Sequence, residues 1–305
     1  IKPIFVAIID SDVNLQKTAQ SFMDMLINYM PDFDDGTSPE NVNGFYLLCS
    51  YTVTLFYTAL IDHKLNSSKR DLILDILVKF LQVRSNLAKI LETSCSEEAL
   101  LDAEASTFPL ISGTLGRALF VSLYSNKSSV QKLLKTSYTE FLQAIRFHEK
   151  TMGELPVIFA DMLAFAEAMS QDNYVASGSV AFQRRLRLNL LKYIRRPDAV
   201  LFDSMKVIHR KWLALSRSKE LSQEELADFR SFAGILASIC GVLLSVDDVE
   251  NSSSQYKDWQ KYVTIEMNYF INKQCQWLNN PDLLTRENSK DILSVELHPL
   301  AVKLS

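Results

Sequence analysis

The sequence predicts an all-α protein. Apolar side chains recur at helical spacing along most of the chain, whereas alternation typical of strands never extends beyond a few residues. Only eight glycines and eight prolines occur in 305 residues. Because both residue types interrupt regular structure, their scarcity favours long helices joined by short turns.

Helical periodicity is clearest in three stretches, residues 69–92, 127–147 and 256–280. In the first, Ile73, Leu77 and Phe80 mark an apolar face and Asp75 and Lys79 a polar one. Ser222 followed by Glu225 is typical of a capping box at a helix start, and Pro197 with Asp198 suits a first helical turn. Helices are predicted over 2–9, 13–30, 41–63, 69–92, 96–103, 107–124, 127–148, 154–170, 174–195, 197–217, 222–246, 254–280 and 286–296.

Helices of 15 to 25 residues with short turns indicate stacked antiparallel pairs, an α-solenoid of the HEAT or armadillo type. We therefore expect residues 1–305 to form a single helical-repeat segment, with a subdivision near 1–150 and 151–305. The chain begins without Met and without a signal-peptide cleavage motif, so it is interpreted as a fragment of a longer chain.

One uncharged stretch, residues 41–61, is long enough to cross a bilayer. Asn43, Ser50, Thr54 and Tyr57 recur there at helical spacing and form a polar stripe. This stripe favours a buried solenoid helix over the alternative of a membrane segment.

A second uncharged run, residues 231–246, is shorter and contains Gly234 and Gly241. We expect a core helix that lies close to its neighbours. The polar, acidic segments 32–39 and 245–254 are predicted to be exposed loops, and their serines could be either plain solvated residues or sites of phosphorylation.

Composition excludes some classes of protein. The formal net charge of −4 excludes a general nucleic-acid binder, which would be basic overall. The four widely spaced cysteines form no CxxC motif and are typical of reduced, buried thiols, which predicts a cytoplasmic protein.

No catalytic or metal-binding constellation emerges from the motifs. The four histidines are isolated from one another and are expected at the surface or at helix caps. No GxSxG motif occurs, and the glycines of 112–120 lack the Lys-Ser or Lys-Thr pair of a phosphate loop, so a helix contact or a mild kink is predicted there. We expect no catalytic residue, no metal and no cofactor.

The strongest charge feature is the basic segment, residues 184–219. It contains 11 Lys or Arg and two Asp, a balance of +9, against −13 for the rest of the chain (21 basic minus 34 acidic). A solvated helix face, docking to an acidic partner or to the same protein, and peripheral contact with anionic lipid all remain open. The candidate docking residues are Arg184, Arg185, Arg187, Arg195, Arg196, Arg210 and Lys211, of which Arg184, Arg187 and Arg195 are expected near one helical face.

The C-terminal third carries a family resemblance. In order it shows RKWLAL (210–215), EELADFR (224–230), FAGILASICGVLL (232–244), MNYFINKQCQWL (267–278) and ENSKDILSVELHPL (287–300). This order resembles the segment that precedes the catalytic domain in the neurofibromin/Ira family of Ras GTPase-activating proteins, and the fungal Ira branch fits best. These are packing patterns over roughly 90 residues rather than catalytic signatures.

The resemblance implies a parent protein that accelerates GTP hydrolysis on Ras, switches Ras off and in fungi lowers cAMP signalling. It also implies HEAT-like helices and a homodimer. The arginine-finger loop and the Phe-Leu-Arg signature of the family are absent, and Arg117 has the wrong surroundings to be the finger. The chain is therefore interpreted as a non-catalytic scaffold that reaches Ras only through the GAP domain; the alternative is a generic HEAT-repeat adaptor in transport or trafficking.

Overall fold

The computed structural model describes residues 2–10, 12–28, 39–61, 67–125, 127–153, 160–171, 179–218, 220–244 and 254–304. Within these ranges the regular structure is entirely helical, which confirms the predicted all-α class. The helices are α1 (Lys2–Ile8), α2 (Val13–Asn28), α3 (Pro39–Ile61), α4 (Ser67–Ser94), α5 (Glu97–Ser122), α6 (Ser128–Met152), α7 (Ala160–Gln171), α8 (Ser179–Tyr193), α9 (Ala199–Ser216), α10 (Gln223–Leu244), α11 (Ser254–Trp277), α12 (Leu283–Asp291) and α13 (Pro299–Leu304).

The chain divides into two compact units. The first unit comprises Ile1–Ser122 and Ser129–Ser170, and the second comprises Leu123–Ser128 and Gln171–Ser305. The predicted loops at 32–39 and 245–254 lie outside the described residues, apart from Pro39 and Ser254 at helix ends.

In the first unit, helix α3 packs against both α4 and α5. Of the residues in its predicted polar stripe, Ser50 and Tyr57 are fully buried, as expected of a helix within a packed protein. The buried Ser50 and Thr52 hydroxyls donate to backbone carbonyls four residues earlier, at 2.8 and 2.7 Å. These local bonds satisfy hydroxyl groups that would otherwise be costly to bury.

Helix α5 corrects the predicted break between residues 103 and 107. It runs unbroken from Glu97 to Ser122 with Pro109 inside it. A proline within a helix removes one backbone hydrogen bond and costs about 3 kcal/mol. Burial of Ala103, Phe108 and Ile111 on either side of Pro109 offsets that cost.

A buried polar cluster joins four helices of the first unit. The Tyr46 hydroxyl of α3 donates to Glu104 Oε2 of α5 at 2.6 Å, and Arg84 of α4 bonds to the Tyr46 hydroxyl and, at 3.1 Å, to Ser50 Oγ. Glu104 Oε1 lies 3.2 Å from His148 Nδ1 of α6. Burial raises the pKa of Tyr46 well above its usual range, so Tyr46 remains a neutral hydrogen-bonding group.

Helix α10 is the centre of the second unit, where it contacts α8, α9, α11 and α13. Every residue from Ser231 to Leu243 is buried, which explains why the sequence places no charge there. At its start the Ser222 backbone N–H donates to Glu225 Oε2 at 2.9 Å and the Glu225 N–H donates to Ser222 Oγ at 3.3 Å. This geometry confirms the predicted capping box.

Aromatic side chains fill the space between α9, α10 and α11. Trp212 is fully buried, and its ring lies 5.0 Å from that of Phe270 and 5.8 Å from that of Trp277, centroid to centroid. Phe229 of α10 lies 5.6 Å from Trp277. Such pairs add to the hydrophobic stabilisation that burial of the rings already provides.

The C-terminus differs from the single helix predicted over 286–296. Helix α12 begins at Leu283 because the Asp282 side chain caps it, accepting from the Thr285 N–H at 2.8 Å. A π-helical turn, Ile292–Glu296, follows and then α13 begins at Pro299. Proline suits this first helical position because its missing N–H has no intrahelical partner.

Within the described part of the chain, two helices are long and apolar enough to cross a membrane by length and composition alone, α3 over Asn41–Ile61 and α10. Half of the most apolar window of α3 and 78% of that of α10 are buried inside the protein. Core helices pass the same test when protein surrounds them, as α10 shows.

Candidate functional site

Two of the five motifs that carry the family resemblance, 232–244 and 287–300, meet in the second unit. The segment 292–304, here called the C-terminal strap, comprises the π-helical turn and α13, and both elements pack on α10. The His298 backbone N–H donates to the Ala237 carbonyl at 2.9 Å, which ties the strap to the middle of α10.

Gly241 provides the space for this contact. A Cβ atom placed on Gly241 would lie 2.6 Å from His298 Cγ and 2.9 Å from its Cβ, closer than any real Cβ contact. His298 is 8% exposed. Its Nδ1 accepts from the Leu300 N–H at 3.2 Å, so that nitrogen carries no proton, and burial lowers the pKa of the ring.

Gly234 allows a second close contact on α10, and it lies seven residues, or two helical turns, before Gly241. A Cβ there would clash with Arg187 of α8 and with Glu296 of the strap. Arg187 Nη2 and Glu296 Oε1 form an ion pair at 2.8 Å, largely shielded from solvent. Burial raises the pKa of Glu296 and lowers that of Arg187, whereas their mutual attraction acts in the opposite direction on both. The two glycines confirm the prediction of a core helix close to its neighbours.

The cysteine between these contacts is not a reactive group. Cys240 is fully buried and its thiol donates to the Ala237 carbonyl at 3.0 Å. Burial raises the pKa of the thiol to about 12. Because the thiolate is the nucleophile, Cys240 has no nucleophilic form at neutral pH. By contrast, Cys275 on α11 is exposed and Cys95 is only partly buried, which corrects the expectation that all four thiols are buried.

The predicted docking residues do not share one helix face. Arg184, Arg185 and Arg187 lie on α8, but α8 ends at Tyr193, so Arg195 and Arg196 lie in the connection to α9. Arg210 and Lys211 lie on α9. The expectation that Arg184, Arg187 and Arg195 share a helical face is therefore wrong for Arg195, because the helix ends two residues before it.

The environments of these cations also differ. Arg187 forms an ion pair with Glu296. Arg195 Nε donates to the Lys192 carbonyl at 3.1 Å, and Arg210 Nε donates to the Lys206 carbonyl at 3.2 Å. Lys211 Nζ lies 5.7 Å from the Tyr124 ring centroid. Five of the seven predicted residues are exposed: Arg184, Arg185, Arg195, Arg196 and Arg210. Their role in docking stays a prediction.

The histidines are more buried than the sequence suggests. His148, His209 and His298 are each at most 8% exposed, so none has the expected surface location, although His298 precedes α13 and accepts from the Leu300 N–H in its first turn, as a capping residue does. His63 lies outside the described residues. His209 Nδ1 lies 3.3 Å from Glu266 Oε2. Among the described residues, no group of three or more His, Cys, Asp or Glu side chains could hold a metal ion.

Comparison with known proteins identifies the relatives of this chain. No family model matches it. It is 51% identical over 305 residues to Inhibitory regulator protein IRA2 of Saccharomyces cerevisiae, and 46% identical over 326 residues to Inhibitory regulator protein IRA1 of the same yeast. Both alignments cover the whole of this chain. The chain belongs to the Ira family.

The Ira-family chain spans 10% of the length of each of these two relatives. The expected kinship is thus confirmed, and the similarity extends well beyond the C-terminal third that suggested it. Sequence reasoning recognised both 232–244 and 287–300 but not that they touch. The signal that could have shown the contact is the pair of glycines spaced seven residues apart, which opens two sites on one side of α10.

Proposed function

We propose that this Ira-family chain is a non-catalytic helical scaffold segment of a Ras GTPase-activating protein that negatively regulates Ras and cAMP signalling. The observation that carries the proposal is its 51% identity over the full chain to Inhibitory regulator protein IRA2. The residues that distinguish the second unit support a packing role, because Gly234, Gly241 and Cys240 are buried and chemically inert there.

The proposed scaffold is an α-solenoid of the HEAT or armadillo type. The packing of α3 on both α4 and α5 supports it, since a solenoid helix contacts its partner and the next repeat. Burial of each apolar face stabilises such an array by about 25 cal/mol per Å². The resulting rigidity would fix the position of the GAP domain and present surfaces for a homodimer or a regulator.

Catalysis would then belong to another part of the parent protein. A Ras-specific activator acts by placing an arginine against the charge that develops on the transferred phosphate. The family's arginine-finger motif is absent from this sequence, and no residue of the chain takes that role in the proposal. Contact with Ras would be indirect, in the cytoplasm or peripherally at membranes.

A chimera tests this proposal. The homologous tenth of yeast Inhibitory regulator protein IRA2 is replaced by this chain, and GTP hydrolysis by Ras is followed in single turnover. We expect the chimera to accelerate hydrolysis as the yeast protein does, and the isolated 305-residue chain to leave the intrinsic rate unchanged. A matched deletion lacking the segment should lose stability or activity.

The outcomes separate the alternatives. Acceleration by the isolated chain would overturn the non-catalytic reading. An inactive but folded chimera would contradict interchangeable scaffolding and favour a generic helical adaptor.

A further inference from the structure

A charged groove lies between α4 and α6 in the first unit. Its volume is about 410 Å³. Four cations line it, Arg84 and Lys89 from α4 and Arg146 and Lys150 from α6, against one lining carboxylate, Glu92. This cationic lining stands out in a chain whose net charge is −4, although three of the four cations have a carboxylate partner.

The floor of the groove offers a preorganised donor. Arg84 is 1% exposed, and its Nε and Nη2 are held by Ser50 and Tyr46 of α3. Its third nitrogen, Nη1, has no hydrogen-bond partner among the residues that the structure describes. A guanidinium fixed at two nitrogens loses little entropy when the third binds an anion.

The rim supplies cations that a ligand can recruit. Lys89 is exposed and forms no ion pair within the described part of the chain. Lys150 is paired with Glu92, and Arg146 with Glu167 at 2.9 Å, both at the protein surface. Exposed ion pairs of this kind contribute little to stability, so exchanging a carboxylate partner for a ligand costs little.

The carboxylates behind the floor are already engaged. Glu104 accepts from the Tyr46 hydroxyl and lies against His148, and its Oε2 is 3.6 Å from Arg84 Nη2, so it is the buried counter-charge of that guanidinium. Glu140 accepts from Ser85 Oγ at 2.6 Å. Helix ends do not explain the arrangement either. Lys150 lies in the last turn of α6, where a cation is favourable, but Arg84 and Arg146 lie before the last turn of their helices.

We propose that this groove binds a compact polyanion through phosphate or carboxylate groups. One anionic group contacts Arg84 Nη1 on the floor, and a second is held by Lys89 and Lys150 at the rim. Phe147, Ala88 and Ala144 give the groove an apolar wall. A ligand held from both sides clamps α4 to α6 and thereby stabilises the first unit.

Calorimetry on the full 305-residue chain tests the site, with inorganic tripolyphosphate and citrate as probes at physiological salt. We expect millimolar or tighter binding of at least one probe and a rise in the thermal midpoint. The two probes distinguish a phosphate from a carboxylate preference. Circular dichroism is used to check that each variant of the chain is folded.

Three variants should change the binding affinity, two of them downward and one upward. Lys89→Gln and Lys150→Gln should each weaken binding roughly fivefold, the effect of one unscreened charge near 4 Å in water. Glu92→Gln should strengthen binding by a similar factor, because it removes the competing carboxylate. Lys132→Gln is the matched control, an exposed cation on α6 outside the groove.

Three results would each contradict the proposed anion site. The proposal is overturned when neither probe binds at millimolar concentration, when Glu92→Gln fails to tighten binding, or when Lys132→Gln weakens binding as much as Lys89→Gln does. The last result would show that the probes respond only to overall charge.

Discussion

His298 lies where any side chain on Gly241 would stand. The ring of the strap residue lies against the backbone of α10, and the His298 N–H bonds to the Ala237 carbonyl one turn earlier on the same helix. A helix interior normally disfavours glycine by about 1 kcal/mol relative to alanine. At Gly241 that cost is offset by a contact that only glycine permits.

Gly241→Ala should therefore destabilise the chain, although alanine is the better helix former. The added Cβ displaces His298 and the strap, and overpacking of this kind costs about 1–3 kcal/mol. Chemical denaturation measures the change in the free energy of unfolding. Faster amide exchange in residues 292–304 would locate it to the strap.

Gly44→Ala is the matched control. Gly44 lies in α3, and among the described residues no atom beyond the adjoining helix backbone is within 4 Å of the site of its Cβ. This variant should stabilise the chain by about 0.5–1 kcal/mol, because alanine loses less entropy on folding. Equal responses of the two variants would contradict the assigned role of Gly241.

The Arg187–Glu296 pair should show strong coupling. Glu296→Gln leaves Arg187 half-buried without its counter-charge, and Arg187→Met leaves a shielded carboxylate, so each should cost about 1–3 kcal/mol. The double variant removes both charges and should cost clearly less than the sum of the two. Additive costs in a double-mutant cycle would show that the pair contributes nothing as a pair.

His298 should also make stability depend on pH. Burial lowers its pKa in the folded state below the usual value of 6.5. Between those two pKa values the unfolded chain binds more protons, so stability falls as pH drops through 6.5 and levels off below the folded pKa. His209 shifts in the same direction and adds to the effect.

His298→Asn isolates the contribution of the strap residue. Its Oδ1 can accept from the Leu300 N–H as the ring nitrogen does, but it does not titrate. Denaturation at several pH values should give a flatter profile for this variant below pH 6.5. A profile as steep as that of the unmodified chain would assign the dependence to other groups.

The sequence was sufficient for the elements that depend on local pattern. Periodicity located the long helices, the Ser222–Glu225 spacing located a helix start, and the uncharged run with two glycines located the core helix. Each of these signals arises within a few residues, where side-chain spacing alone determines which face is buried.

The features that the sequence did not reveal depend on contacts between distant segments. The sequence predicts a break between residues 103 and 107, but α5 runs continuously from Glu97 to Ser122. His148 is a polar residue, yet it is buried: its ring stacks on that of Phe108, with centroids 3.5 Å apart, and it lies beside Glu104. No local pattern encodes such partners, nor the bond between the strap and α10.

The basic segment provides the last prediction, and the structure changes how it should be tested. Charge reversal at Arg187 would break the pair with Glu296, so a loss of binding there would only report unfolding of the strap. Arg184→Glu with Arg196→Glu reverses two exposed positions instead. Surface substitutions of this kind change stability by about 0.5 kcal/mol or less.

We expect this double variant, placed in the full-length chimera, to weaken self-association or regulator binding in a salt-dependent manner. Opposite charges across an interface speed association, and salt screens them. Sedimentation at low and high salt measures the effect, with Lys132→Glu on α6 as the charge-matched control. If both the double variant and the control associate as the unmodified chimera does, the basic segment has no role in docking. It is then only a solvent-exposed surface of α8 and α9.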